Sequence, residues 1–187
     1  MRAPTASGRV SSGYGVKRAD GRMHWGDDMP GRAGEAVYAP EGGIVTAVEY
    51  GHGTAIALPH PWNGYGPGVV QILGDTGVWH TLAHVRPGVL APGVRVEEGA
   101  AVGTLPAAVG ASGPHVHWEV RTGHPIDDPT TRAANTVDPQ EWLATARGVQ
   151  AAQAARPAWQ GGGGAPAADG GWGVLLLVAL LLLGGRR

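Results

Sequence analysis

Short runs of β-branched and aromatic residues alternate with turns rich in glycine and proline along most of the chain. In the segment 113–120, for example, Val116, Trp118 and Val120 occupy every second position, as expected for an extended strand. The chain contains 33 glycines and 15 prolines, which mark many turns. The pattern predicts an all-β fold, mainly antiparallel, with many hairpins and few short helices.

One segment has a helical pattern. Residues 136–146 place Trp142 and Leu143 on one face, and Asp138 and Pro139 stand where a helix commonly begins. We therefore predict one short helix after the last strands.

The C-terminal part of the chain differs from the rest. Residues 147–171 form an Ala-, Gly- and Pro-rich segment that predicts a flexible linker, so the folded domain is predicted over 8–146. Residues 172–187 then combine Trp172, an apolar run and two terminal arginines, which predicts a hydrophobic tail that anchors or sorts the protein at a membrane. The run reaches only about 15–21 Å as a helix, which is short for a bilayer core of about 30 Å.

Composition narrows the possible partners. The formal net charge is -1 and there is a single lysine, so the chain lacks the basic patch that nucleic-acid binding requires. There are no cysteines, which excludes disulfides.

No apolar signal-peptide core follows Met1. We expect a monomer.

Two histidines stand two residues apart in the 113–120 strand. His115 and His117 should point to the same face, close enough to share one metal ion or its water. Two converging imidazoles are half of a zinc site. The alternative is a solvated strand face that happens to carry two histidines.

A second candidate group lies upstream. His24 and Asp28 are separated by a segment in which Gly26 permits a sharp bend. With one imidazole of the downstream pair they would supply two nitrogens and one oxygen, leaving a fourth position for water, as in catalytic zinc sites. Asp27 could compete with Asp28, although the spacing favours Asp28. The alternative for this group is a polar turn.

Two further histidines lie on a predicted strand that ends at a turn. His84 precedes Arg86 and Pro87, and His80 stands four residues earlier. Taken alone, His84 is an ordinary surface histidine. We also expect His80 at the surface.

Taken together, these motifs resemble the LytM/lysostaphin-type metallopeptidases of the M23 family. The resemblance covers about residues 11–143. It rests on three motifs in a fixed order, namely His-x-x-x-Asp, then a lone His, then His-x-His preceded by Gly-Pro. Other segments resemble the family's entry, hairpin, glycine-repeat and closing motifs; they are 12–16, 37–45, 92–103 and 137–143.

The resemblance implies a strongly curved antiparallel sheet with Zn²⁺ in a groove. It implies that His24, Asp28 and His117 bind the zinc and that His84 and His115 are catalytic. The implied activity is a zinc endopeptidase that hydrolyses peptide bonds in the stem or cross-link peptides of bacterial peptidoglycan. The implied location is the cell envelope, with membrane contact through the tail.

Two alternatives belong to other functional classes. One is a non-catalytic LytM-like module that binds the wall or activates an amidase; such modules usually lose zinc ligands, and this chain keeps all five residues. The other is a cupin-type oxygenase, which would need a glutamate farther from His-x-His than Glu119. The chain also departs from the family at Leu82, where a tyrosine that could touch the substrate is usual.

Overall fold

The computed structural model describes residues 1–50, 68–107, 112–123 and 134–154. These residues form ten β-strands and one α-helix that we number along the chain. The strands are β1 Asp27–Pro30, β2 Ala36–Tyr38, β3 Gly43–Glu49, β4 Val69–Gly74, β5 Trp79–Ala83, β6 Arg86–Pro87, β7 Arg95–Val96, β8 Ala101–Thr104, β9 His115–Arg121 and β10 Thr136–Val137. The helix, α1, is Pro139–Ala154.

The strands form two antiparallel sheets. The larger has the order β1-β9-β5-β4-β3-β7, with β10 also paired to β9, and the smaller has the order β2-β8-β6. The register of β3 on β4 shifts between Val45 and Ala47, a bulge of the kind that bends a strand. The predicted all-β, mainly antiparallel fold is confirmed. Strand β9 lies between β5 on one edge and β1 and β10 on the other, so it connects most of the sheet.

Helix α1 begins at Pro139, as the Asp138-Pro139 pair predicted. Asp138 Oδ1 accepts hydrogen bonds from the backbone N–H groups of Gln140 and Glu141, which caps the helix, and proline suits its first position. The first two residues of the predicted helix are instead strand β10, because the β-branched Thr136 and Val137 pair with Arg121 and Val120. The helix extends to Ala154 and so includes the start of the segment predicted as linker.

Side chains from both sheets and from α1 form the core. Trp118 of β9 and Trp142 of α1 are fully buried and meet edge to face with ring centroids 5.9 Å apart. The ring of His80 packs against both indoles. The expectation that His80 lies at the surface is therefore wrong, because its β5 position pairs with Val120 of β9 and is fully buried.

The polar groups around His80 in this core are joined by hydrogen bonds, whereas Trp142 Nε1 has no hydrogen-bond partner among the described residues. His80 Nε2 lies 2.8 Å from Glu41 Oε1, and Trp118 Nε1–H donates to His80 Nδ1 at 3.2 Å. Since Nδ1 accepts, the His80 proton is on Nε2 and is donated to Glu41. Thr76 donates to the same carboxylate. Such fully partnered polar groups avoid the cost of burying an unsatisfied atom.

None of the helices among the described residues is long and apolar enough to cross a membrane. The predicted tail, 172–187, and the part of the predicted linker after Ala154 lie outside the described residues.

Candidate metal centre

Strand pairing brings together side chains that are far apart in sequence. In the antiparallel register of β1 on β9, Asp28 lies opposite His117 and Asp27 lies opposite Trp118. His24 precedes β1, and its Nε2 lies 3.0 Å from His117 Nδ1 although the residues are 93 positions apart. The predicted grouping of His24, Asp28 and His117 is therefore present in the fold.

Three donor atoms of this group converge on one point. Asp28 Oδ1 lies 2.9 Å from His117 Nδ1 and 3.1 Å from His24 Nε2, and the two nitrogens are 3.0 Å apart. Four ligands arranged tetrahedrally at about 2.0–2.1 Å from zinc would be separated by roughly 3.3 Å. Lone pairs this close repel unless a cation lies between them. The donor set of two nitrogens and one carboxylate oxygen suits zinc, and this group could hold a metal ion.

Hydrogen bonds on the outer side of each ligand set its orientation. His24 Nδ1–H donates to the carbonyl of Gly13 at 2.9 Å, which leaves the Nε2 lone pair facing the other donors. His117 Nε2–H donates to Glu119 Oε1 at 2.9 Å, and its Nδ1 faces Asp28. Arg18 Nη2 donates to Asp28 Oδ2 at 2.8 Å, so Oδ1 is the oxygen left for the cluster. Such outer partners fix the tautomer and angle of metal-binding side chains.

The pKa values of Asp28 and His117 are shifted in opposite directions. Burial alone would raise the pKa of Asp28, but the imidazoles of His117 and His24, when protonated on the side of the carboxylate, and the Arg18 guanidinium hold it well below its usual range. Burial alone would lower the pKa of His117, but its hydrogen bonds to Asp28 and Glu119 raise it above the usual value. The cluster thus favours an anionic Asp28 with a positive charge close to it.

The neighbouring aspartate faces elsewhere. Asp27 Oδ1 accepts from the backbone N–H of Tyr14 at 3.0 Å, and Oδ2 accepts from Gln140 Nε2 at 2.6 Å. Burial raises the pKa of this carboxyl above its usual value. Successive residues of a strand point to opposite faces, so β1 separates Asp27 from Asp28. Asp27 ties the N-terminal segment to α1 and does not join the cluster.

Gly26 is required for close packing. A Cβ at Gly26 would lie 2.4 Å from the carbonyl oxygen of Trp118 and 2.9 Å from Glu119 Cγ, which is shorter than real contacts. Its φ is not in the positive region that favours glycine. The chain does bend at Gly26, as expected, but the bend needs no positive φ, and it is the close approach to β9 that requires a glycine here. The glycine lets the segment carrying His24 lie directly against β9.

The remaining two predicted histidines lie beside the cluster. His115 Nδ1–H donates to the Gly113 carbonyl at 2.9 Å, and His115 Nε2 lies 3.9 Å from Asp28 Oδ1. The His84 ring centroid is 5.0 Å from that of His115 and 6.1 Å from that of His117. The fold thus assembles all five predicted residues in one place.

His84 has an unusual backbone conformation. It follows the last residue of β5 and has a φ of 60°, a positive value that no other non-glycine residue among the described ranges has. This conformation costs an ordinary residue roughly 1–2 kcal/mol. The turn redirects the imidazole toward His115. Strained residues of this kind are frequent at functional sites.

The departure at Leu82 affects the core. Leu82 lies opposite Trp118, is fully buried and belongs to the main hydrophobic cluster. The β5 residue on the same face as the cluster is Ala83, opposite His117. The Leu82 side chain fills the core, and the absence of a substrate-contacting phenol at this position stays a prediction.

Three contacts of the cluster were not anticipated from the sequence. Glu119 holds His117, Arg121 holds Glu119, and Arg18 holds Asp28. For Glu119 and Arg121 a signal existed, because alternation along β9 places them on the same face as His115 and His117. No local pattern points to Arg18, whose contact depends on the turn at 18–22.

Comparisons with solved structures show the same fold. The catalytic domain of lysostaphin from Staphylococcus simulans is 19% identical with a TM-score of 0.56, over 73% of this chain and 92% of that one. The catalytic domain of a mutant form of the prophage-encoded M23 protein EnpA from Enterococcus faecalis is 25% identical with a TM-score of 0.52, over 70% and 88%.

A zinc-containing peptidase from Vibrio cholerae is 22% identical with a TM-score of 0.52, and the match covers 73% of this chain but only 37% of that protein. The comparison with curated proteins gave no match. The sequence model of peptidase family M23 matches residues 22–129, more than half of the 187-residue chain. With this match, an antiparallel fold shared with lysostaphin and a His-Asp-His cluster suited to a metal, the chain belongs to peptidase family M23.

Proposed function

We propose that this protein is a zinc-dependent endopeptidase that hydrolyses peptide bonds in the stem or cross-link peptides of bacterial peptidoglycan. The observation that carries the proposal is the convergence of His24 Nε2, Asp28 Oδ1 and His117 Nδ1, each turned inward by a separate outer partner. In this proposal these three residues bind one Zn²⁺.

Bound zinc would supply two effects, a lower pKa of about 7 for a ligated water and polarisation of the scissile carbonyl. The protein supplies proton transfer. His115 gives its Nδ1–H to the Gly113 carbonyl, so its Nε2 can accept a proton from the attacking water and return it to the leaving amine. Histidine suits this exchange because its pKa lies near neutral pH.

His84 has a complementary role in the proposal. Its ring lies edge to face with that of His115, on the side of the cluster formed by the end of β5. From there it would donate a hydrogen bond to the substrate oxygen as the carbonyl carbon becomes tetrahedral. The positive φ of His84 is part of the turn that places its ring 5.0 Å from that of His115.

The test is digestion of purified cell-wall sacculi by the full chain, with fragments identified by mass. We expect new amino and carboxyl termini within the wall peptides, loss of cleavage with a chelator, and recovery when zinc is restored. His117→Ala should stay inactive after zinc is added. If the chain binds sacculi but releases no fragments under any of these conditions, the non-catalytic wall-binding module is the correct function.

A further inference from the structure

Four polar side chains lie in a row on one face of β9. They alternate with the buried Val116, Trp118 and Val120, and in order they are His115, His117, Glu119 and Arg121. Glu119 is completely buried and Arg121 is 2% exposed. The row begins at the histidine cluster and runs along β9 toward its end. On one edge, β9 pairs first with β1 and then with β10.

Glu119 connects the charged end of this row to the metal cluster. Its Oε1 accepts from His117 Nε2–H at 2.9 Å. Its Oε2 accepts from Arg121 at 2.7 Å from Nη2 and 3.0 Å from Nε. The two carboxylate oxygens thus serve different donors, and two N–H groups of one guanidinium hold Oε2.

This arrangement selects one orientation of the His117 ring. With Nε2–H on Glu119, Nδ1 points at Asp28 Oδ1 and His24 Nε2. Turning the His117 ring over would move its Nε2–H away from Glu119. Oε1, a buried and charged oxygen, would then lose that donor. Burial makes that loss costly, since no bulk water can replace the donor.

We propose that Glu119, clamped by Arg121, is a positioning residue that holds His117 with Nδ1 toward the metal and so sets the zinc affinity of the site. The inference rests on the proposed zinc site and adds a residue to it. A purely structural role is the competing explanation, because a buried ion pair could serve the fold alone.

The chain offers a matched control for that explanation. Glu41 and His80 form a second buried glutamate–histidine hydrogen bond, 2.8 Å long and with both residues at most 1% exposed. This pair lies in the core with Trp118, on the face of β9 opposite to that of His117. Glu41→Gln therefore removes the same kind of buried charge on the other side of the sheet from the cluster.

The experiment compares the zinc affinity of the full chain, Glu119→Gln and Glu41→Gln by competition with a chromophoric chelator. Glutamine replaces one carboxylate oxygen with an NH2 group, so in the same orientation that group would face a donor, either His117 Nε2–H or the Arg121 guanidinium. We expect Glu119→Gln to bind zinc about 10- to 100-fold more weakly and Glu41→Gln to match the parental affinity. Equal affinity for Glu119→Gln and the parental chain would overturn the positioning role, and so would equal losses in the two variants.

The readout separates this inference from the proposed activity. A parental chain that binds zinc and cleaves no wall peptide would overturn the endopeptidase and leave the role of Glu119 standing. A parental chain without zinc affinity would overturn both.

A second measurement needs no variant and so does not depend on its folding. In the ¹⁵N NMR spectrum of the zinc-loaded parental chain, His117 should keep a proton on Nε2 and have Nδ1 bound to the metal. The reverse assignment would contradict the proposal.

Discussion

Asp28 and His117 lie directly opposite each other on adjacent antiparallel strands, with Asp28 Oδ1 2.9 Å from His117 Nδ1. The strand register alone therefore places a carboxylate against an imidazole from the far end of the domain. A shift of one residue would put Asp27 at this position and turn Asp28 toward the core. The metal site and the β1–β9 pairing thus depend on each other.

The first prediction concerns which aspartate binds the metal. Asp28→Ala should lose zinc, because it removes one of the three converging donors. Asp27→Ala should keep zinc and lose roughly 1–3 kcal/mol of stability, because it removes two part-buried hydrogen bonds, from the Tyr14 N–H and from Gln140 Nε2. Metal analysis and thermal unfolding of both variants check this. Zinc retained in Asp28→Ala and absent from Asp27→Ala would reverse the assignment.

The second prediction separates proton transfer from metal binding. His84→Ala and His115→Ala should hold zinc like the parental chain but lose a factor of about 10² or more in turnover. Zinc content and the rate of wall-peptide cleavage are measured on the same preparations. A variant that cleaves at the parental rate would show that the replaced histidine has no part in the reaction.

The third prediction is that protons compete with zinc. The pKa of His117 is raised, so the stabilisation from its protonated form is present below its ordinary value of about 6.5 and is lost as pH rises through the folded-state value. Zinc needs the deprotonated Nδ1. The increase in Tm caused by zinc should therefore be larger at about pH 8.5 than at about pH 6. Calorimetry with and without zinc checks this, and an increment that shrinks as pH rises would contradict it.

The fourth prediction concerns the glycine between the two ligands. Gly26→Ala should destabilise the fold and weaken zinc binding, because its Cβ would overlap the Trp118 carbonyl and press on Glu119. Gly148→Ala is the matched control, since nothing lies within 4 Å of a Cβ there and the residue is within α1. It should stabilise the helix by about 0.5–1 kcal/mol and leave zinc binding unchanged. Equal stability of Gly26→Ala and the parental chain would show that β1 can move away from β9.

The fifth prediction concerns the tail, which lies outside the described residues. We propose that residues 172–187 hold or sort the protein at the cell envelope, because an apolar run is flanked by Trp172 and two arginines. Deleting 172–187 should release active protein into a soluble fraction. The anchor is wrong if the exported full chain fractionates as soluble with its tail intact.

The sequence by itself determined the features that depend on local periodicity. Alternation in 115–121 placed His115 and His117 on one face, and the Asp138-Pro139 pair marked the start of the helix. The order of the motifs predicted which five residues gather, through their resemblance to the M23 family. These are short-range properties, and a strand has the same two-residue repeat wherever it is placed.

Only the tertiary structure decided the features that depend on which strands pair and in what register. It buried His80 against Trp142, turned Asp27 away from the cluster and placed Arg18 on Asp28. It also buried Glu119 and Arg121 by placing β9 between β1 and β5. Register is set by packing between segments far apart in the chain, where burial of one face selects among alternatives that each strand alone would allow.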